Sequence, residues 1–365
     1  MPHSHRDKTA SSSPAPHRQA RESATVRIGV VGAGLIGRRH VEALAIARDV
    51  ELAAIADPDP CAGDIAARHG VAHFMSLREM IETAPPDGVI IATPNAWHLA
   101  HVLECVDAGI AALIEKPLAT DLASAERIVA AGKAANIALL IGHHRRHNPL
   151  IARARSLIEA GELGQITAVQ ATAWFHKPDD YFQAAWRRQK GAGPVYLNLS
   201  HDIDLLRYLC GEIVSVQAME SNRVRGHEVE ETAVILLQFG DGALGTMSVS
   251  DTVVAPWSWE LTARENPVYP ATTEACYLIG GTQASLSLPN LSLWSNPGRA
   301  GWREPISATK WPIEFGDPLV RQVLQFAAVI RGDEPPLVPA SEGLQNQRVI
   351  EAIKTSARTG TTVML

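Results

Sequence analysis

The chain is poor in the features that would mark a secreted, membrane-spanning or nucleic-acid-binding protein. Only four cysteines occur in 365 residues, Cys61, Cys105, Cys210 and Cys276. They are widely spaced and form no CxxC pair, which excludes a disulfide framework and a zinc-ribbon spacing and suits a reducing cytoplasm. No apolar stretch reaches the ~18 residues that a membrane-crossing helix requires. There is no long basic run, and a net charge of -6 with a pI near 6.2 gives no electrostatic footprint for nucleic acid or an acidic membrane surface. Residues 1–25 are polar, basic and rich in Ser, Pro and His, with no apolar core of a secretion signal, and read as a disordered tail. A small neutral or weakly charged ligand is the partner class these absences leave.

What is present is ordinary globular material, 46% hydrophobic and 20% charged, enough for two cores. From Val26 to Arg146, short apolar runs ("VRIGVVGAG", "VELAAIAD", "DGVIIATP", "AALIEKP", "IALLIGHH") alternate with amphipathic stretches. That alternation predicts a doubly wound parallel sheet with helices on both faces, the α/β class. Beyond Leu150 come longer alternating strands, "QITAVQATAWFH", "IVSVQAMESN", "ETAVILLQFGDG" and "ALGTMSVSDTV", the last two joined by a Gly240-Asp241-Gly242 hairpin signal. They predict an antiparallel sheet, interrupted by a helix at "SHDIDLLRYLCG". Residues 255–275 and 295–317, dense in Trp, Pro and Gly, read as long loops, either surface decoration or a pocket wall. The expected boundaries are 26–146 for the first domain, 147–340 for the second, and 341–365 for a closing helix and end segment.

Gly32, Gly34 and Gly37 follow the first strand as G-x-G-x-x-G, with Leu35 and Ile36 inside the turn. The first glycine permits a tight turn, the second lets backbone approach a pyrophosphate, and the third lets helix and strand pack. Asp57 ends the second strand twenty residues after Gly37, where a carboxylate can accept hydrogen bonds from an adenosine ribose. Pro58, Asp59 and Pro60 follow it, with no Arg or Lys to meet a 2′-phosphate, so NAD is favoured over NADP.

Strand carboxyl ends face the ligand in such a sheet. "IATPN" and "LIEKP" therefore bring Thr93, Asn95, Glu115 and Lys116 to the edge that carries the glycine turn. A lysine there could stabilise a developing alkoxide, with Pro117 fixing its direction through a possible cis peptide bond. A surface Glu-Lys pair at a strand end is the alternative.

"GAGLIG", "IATPNAWH", "EKPLAT", "GHHRRHNP", "WRRQKGAGPVYLNLSHDIDLLRYLCG" and "GLQNQRVIEAIKTSARTG" resemble, in order, the motifs of the glucose-fructose oxidoreductase, inositol dehydrogenase and MocA (Gfo/Idh/MocA) family over residues 26–365. The resemblance implies a Rossmann domain followed by an α/β domain whose open, mostly antiparallel sheet carries the substrate pocket and often an oligomer interface, here a homodimer or homotetramer. It also implies NAD-dependent hydride transfer to or from a carbon bearing a hydroxyl on a sugar, cyclitol or related cyclic alcohol. By motif position, Lys116 and His201 match the family's active-site lysine and histidine. Thr93, Asn95, His98 and Glu115 match cofactor-lining residues, Arg146 a pocket arginine, and Trp186 with Arg187 a segment that reaches the active site. Redox-assisted glycoside cleavage, imine or ketone reduction on the same scaffold, and a non-catalytic NAD-sensing regulator are the alternatives.

One departure stands out. Family members often carry Asp four residues before the active-site histidine, whereas Leu197 stands here and Asn198 is the nearest polar replacement. An amide takes no proton, so Asn198 is expected to orient a substrate hydroxyl. Asp204, three residues after His201, is expected to pair with the imidazole, and Asp202 to point into solvent. Trp174, Tyr181, Trp257, Trp259 and Trp302 offer area for stacking on a sugar, with Trp174 the candidate carried forward and core packing the alternative. His143, His144, His147 and His176 lack a completing carboxylate or thiolate, so no metal is expected.

Overall fold

The computed structural model describes residues 25–312 and 314–365, and the expected N-terminal tail lies almost entirely outside the described residues. The first sheet is six parallel strands, β1 (Val26–Val31), β2 (Val50–Ala56), β3 (Ala72–Phe74), β4 (Gly88–Ile91), β5 (Ala111–Ile114) and β6 (Leu139–Ile141), in the order β3-β2-β1-β4-β5-β6. Strand alternation sends Val31, Val89 and Ile91 into a core with Val102 and Ile128, and Ile28, Val30 and Ile90 into one with Val41 and Leu44. Both faces are covered, which is why the strands read as continuous apolar runs. The order reverses between β1 and β4, and that crevice is where a doubly wound sheet takes its ligand.

The second sheet has nine strands: β7 (Ile166–Trp174), β8 (Ile213–Ser221), β9 (Thr232–Phe239), β10 (Leu244–Ser250), β11 (Tyr277–Gly281), β12 (Ala284–Leu288), β13 (Ser292–Ser295), β14 (Ser307–Lys310) and β15 (Val363–Met364). Their order is β14-β13-β12-β11-β7-β10-β9-β8-β15. All pairings are antiparallel except β7 with β10. One face packs Val169, Ile235, Leu237 and Met247 against the helices Pro149–Glu159, Leu199–Cys210 and Ala340–Thr359. The opposite face leaves Val234, Leu236, Leu244 and Leu278 exposed.

Of the two expected long loops, 295–317 supplies β14 to this sheet and 255–275 supplies no strand. Short strands β11 to β13 lie between the two Trp- and Pro-rich stretches, and the first stretch holds a helical turn at Trp259–Thr262, with Trp259 in the second-domain core. A second difference concerns the boundary at residue 340. The helix Pro318–Arg331, expected in the second domain, packs Leu319, Val323, Phe326 and Ala327 into the first-domain core. Gly88 on β4 makes room for it, since a Cβ there would meet Phe326 at 2.9 Å. The helix Ala340–Thr359 spans both domains: Leu344 enters one core, and Ile350 and Ile353 enter the other.

Candidate active site

The glycine turn is built for close backbone approach. Gly32 has φ of 91°, and a Cβ there would meet the Ala92 carbonyl oxygen at 2.6 Å; a Cβ on Gly37 would lie 1.8 Å from the Gly32 carbonyl oxygen. Among the described residues, a Cβ on Gly34 would meet nothing within 4 Å, and no side chain caps the helix Leu35–Ile46 that follows. Its first N–H groups are therefore free for an anion. Leu35 is exposed and Ile36 half-buried at the same end. Asp57 accepts from Ala33 N at 2.7 Å and Asp59 N at 2.8 Å, which holds its carboxylate beside the turn. These residues fit a dinucleotide, with the turn for the pyrophosphate and Asp57 for the ribose.

The ends of β4 and β5 are tied together by His98. This buried imidazole presents Nε2 to the Thr93 carbonyl and Nδ1 to the Pro117 carbonyl, each at 3.0 Å. Burial pushes it below its ordinary pKa, against the pull of those carbonyls. Thr93 Oγ1 lies 3.1 Å from His101 Nδ1, and Asn95 opens an exposed turn just beyond. Glu115 is buried, with one oxygen 2.7 Å from His40 Nε2 and the other accepting from Lys116 N at 3.2 Å. Burial would raise its carboxyl, but the His40 contact brings it below the usual range. Gly142 makes space for this group, since a Cβ would approach the Glu115 carboxyl to 2.9 Å.

Lys116, joined to Pro117 by a cis peptide bond, crosses from the first domain to the second. Its Nζ donates to the carbonyl of Leu197 at 3.2 Å. Leu197 closes the short helix Pro194–Leu197, and His201 sits one turn further on, its N–H donating to the Asn198 carbonyl at 3.3 Å. The lysine, reaching Leu197 from the end of β5, thus ends one helical turn before the histidine although 85 residues separate them in sequence. Burial lowers the Lys116 pKa, partly offset by Glu115. Burial, and then the nearby Lys116 and Arg145 charges, hold His201 well below 6.5, so it is neutral at pH 7. Its ring meets those of His143 and His144 edge-on, with centroids 5.7 and 4.9 Å away. Among the described residues, His201 Nδ1 has no protein partner.

Three expectations for this helix are corrected. Asp204 does not orient His201: both of its oxygens accept from Arg146, at 2.9 and 2.7 Å. Arg146 is therefore not a free pocket arginine, because its guanidinium is shared between Asp204 and Glu342. Asp202 is not solvated; it is 1% exposed and takes hydrogen bonds from Arg145 and Tyr277. Burial raises its carboxyl to about 6 despite Arg145. The physical reason is shared: residues 145 and 146 turn two guanidinium groups under the helix, and carboxylates pair with those before they reach an imidazole.

Other groups at the site had weak sequence signals or none. Arg145 spans Asp202 and Glu260, the latter from the loop 255–275, so that loop forms a wall of the site. Lys177, just past β7, is buried and donates to Asn198 Oδ1 at 2.8 Å. It follows a strand end as Lys116 does, and that pattern could have revealed it. Trp174 packs edge-on against Trp257. Trp186 is exposed on the turn Ala185–Arg188, and Arg187 lies 4.0 Å over the Tyr181 ring, bonded to the Tyr181 carbonyl.

The oxidoreductase family described by an NAD-binding Rossmann fold matches residues 26–143, and its C-terminal alpha/beta domain matches residues 155–365. The chain belongs to the Gfo/Idh/MocA family. The first domain is therefore an NAD-binding Rossmann domain and the protein an NAD-dependent oxidoreductase. Similar Gfo/Idh/MocA members include the rhizopine catabolism protein MocA of Rhizobium meliloti, 29% identical over 61% of this chain and 70% of the relative. Another is myo-inositol 2-dehydrogenase of Thermotoga maritima, 29% identical over 63% of this chain and 70% of the relative. Among solved structures, the WlbA dehydrogenase of Bordetella pertussis in complex with NADH and UDP-GlcNAcA is 28% identical. The match covers 93% of this chain and 99% of that one, with a TM-score of 0.74.

Proposed function

We propose that this enzyme interconverts an alcohol and a carbonyl on a sugar, cyclitol or related cyclic polyol. The observation that carries the reading is the Lys116 ammonium held one helical turn from a neutral, buried His201. Bound NAD supplies the two-electron acceptor. His201, neutral, accepts the proton of the substrate hydroxyl. Lys116 has three N–H donors, of which Leu197 takes one, so the others can hold the substrate oxygen as negative charge develops. Lys116 in its neutral form is the other candidate base, since burial lowers its pKa. Likeness to a myo-inositol dehydrogenase and to a sugar-nucleotide dehydrogenase supports a polyol or sugar substrate.

The experiment is a panel of sugars, cyclitols and their oxidised forms with NAD, read by absorbance of the reduced cofactor. Turnover of at least one cyclic alcohol is expected; cofactor binding without turnover across the panel would point to a sensor instead.

The exposed apolar face of the second sheet supports a homo-oligomer closed by a second copy, since so many exposed aliphatic side chains on one face need cover. Among the described residues no helix is long and apolar enough to cross a membrane. All four cysteines are unpaired and three are buried, which supports a cytoplasmic setting.

A further inference from the structure

Asn198 sits at the break between the helices Pro194–Leu197 and Leu199–Cys210, half-buried. Its carbonyl oxygen faces Lys177 Nζ at 2.8 Å. An ammonium can only donate, so this contact fixes which end of the amide is which and turns Nδ2, a donor, away from Lys177. Among the described residues no protein acceptor meets that Nδ2. An aspartate in the same surroundings would offer the substrate an acceptor; this amide offers a donor. Lys177 itself is 6% exposed, with Asp251 at 3.4 Å. Asp251 is also bound by Arg225, and the cavity that Lys177 lines sets Lys177, Arg187 and Arg225 against Glu230, Glu231 and Asp251. The preceding residue, Leu197, takes the Lys116 ammonium. Donors from both domains thus flank two consecutive residues.

We propose that Lys177 and Asn198 form a donor subsite for a carboxylate carried about one or two carbons from the reacting carbinol, so that the substrate is a sugar acid or related hydroxy acid. The subsite rests on the hydride-transfer reading and narrows it. Lys177 orients the amide, and Asn198 contributes the N–H that a neutral hydroxymethyl group would use poorly. A donor that finds a strong acceptor in a carboxylate and a weaker one in a hydroxyl is what lets such a site discriminate.

Matched pairs test it, D-gluconate with D-glucitol and D-glucuronate with D-glucose, by equilibrium binding to the NADH-loaded full-length protein and by turnover with NAD. The acid is expected to bind about tenfold or more tightly than its neutral partner. Lys177→Met should remove that preference, and Asn198→Asp, near isosteric, should reverse it through carboxylate repulsion. Equal binding of acid and neutral partner by the unaltered protein, or a preference that survives both variants, would overturn the subsite. Acid preference without turnover would uphold the subsite and sink the hydride-transfer reading, whereas turnover without acid preference would do the reverse.

Discussion

At the scale of single residues, the site is defined by charges taken out of water. His201 is neutral because burial and two neighbouring cations oppose its protonation, and Lys116 is shifted in the same direction. For alcohol oxidation, kcat/KM is expected to be on its plateau already at pH 6.5 and to fall on the alkaline side below pH 10.5 as Lys116 loses its proton. Lys116→Arg should displace that alkaline limb upward. A profile that instead climbs through the alkaline range would make Lys116 the proton acceptor. The same burial affects stability. His143 and His147 are pushed down to about 4 and His144 to about 3, from an ordinary 6.5. As pH falls below 6.5 the unfolded chain gains protons that the folded chain refuses, so stability falls with pH toward about 4. Asp202, raised to about 6, and Glu220 and Glu265, also raised by burial, oppose this and are outnumbered by the six lowered histidines, His98, His101, His143, His144, His147 and His201. Urea unfolding at pH 7.5 and pH 5 checks it: the midpoint should be lower at pH 5, and an unchanged or higher midpoint would contradict the account.

At the scale of elements, the glycine turn separates folding from binding. Gly34→Ala adds a methyl where the protein leaves open space, so the thermal midpoint should hold within about 2 °C while NAD affinity drops about tenfold or more. Gly37→Ala should instead fail at folding, because its Cβ has only 1.8 Å to the Gly32 oxygen. Isothermal titration beside a melting curve distinguishes the two. This turn was legible in sequence because its requirements are local: spacing, a strand before and a helix after. The parallel strands were legible for the same reason, being short apolar runs between amphipathic stretches. Strands β11 to β14 were not, since four- and five-residue strands with alternating serines, such as "ASLSL", are masked by the Trp, Pro and Gly around them. The partners of Asp204 and Asp202 were not legible either. A spacing of three residues put Asp204 near His201, but the guanidinium groups that claim both aspartates arrive from 57 and 58 residues away. Pairing over such separations leaves no periodic trace.

At the scale of the whole molecule, two sheets meet through one lysine, one long shared helix and a helix from late in the chain that returns to the first domain. The exposed face of the second sheet carries Leu236 and Leu244 at 55% and 62% exposure beside Val234 and Leu278, an apolar face that a second copy would cover. Sedimentation should find a dimer or tetramer at micromolar concentration, and Leu236→Lys should shift it toward monomer with the fold retained; a monomeric unaltered protein would contradict the interface. The central claim is that a cation delivered by β5 and an imidazole on the opposing domain act on one substrate oxygen. Single-turnover reduction of NAD by the Lys116→Ala variant, with a substrate found in the panel, tests it most directly. The rate should fall roughly 100-fold or more with cofactor affinity nearly unchanged, and an undiminished rate would contradict the account.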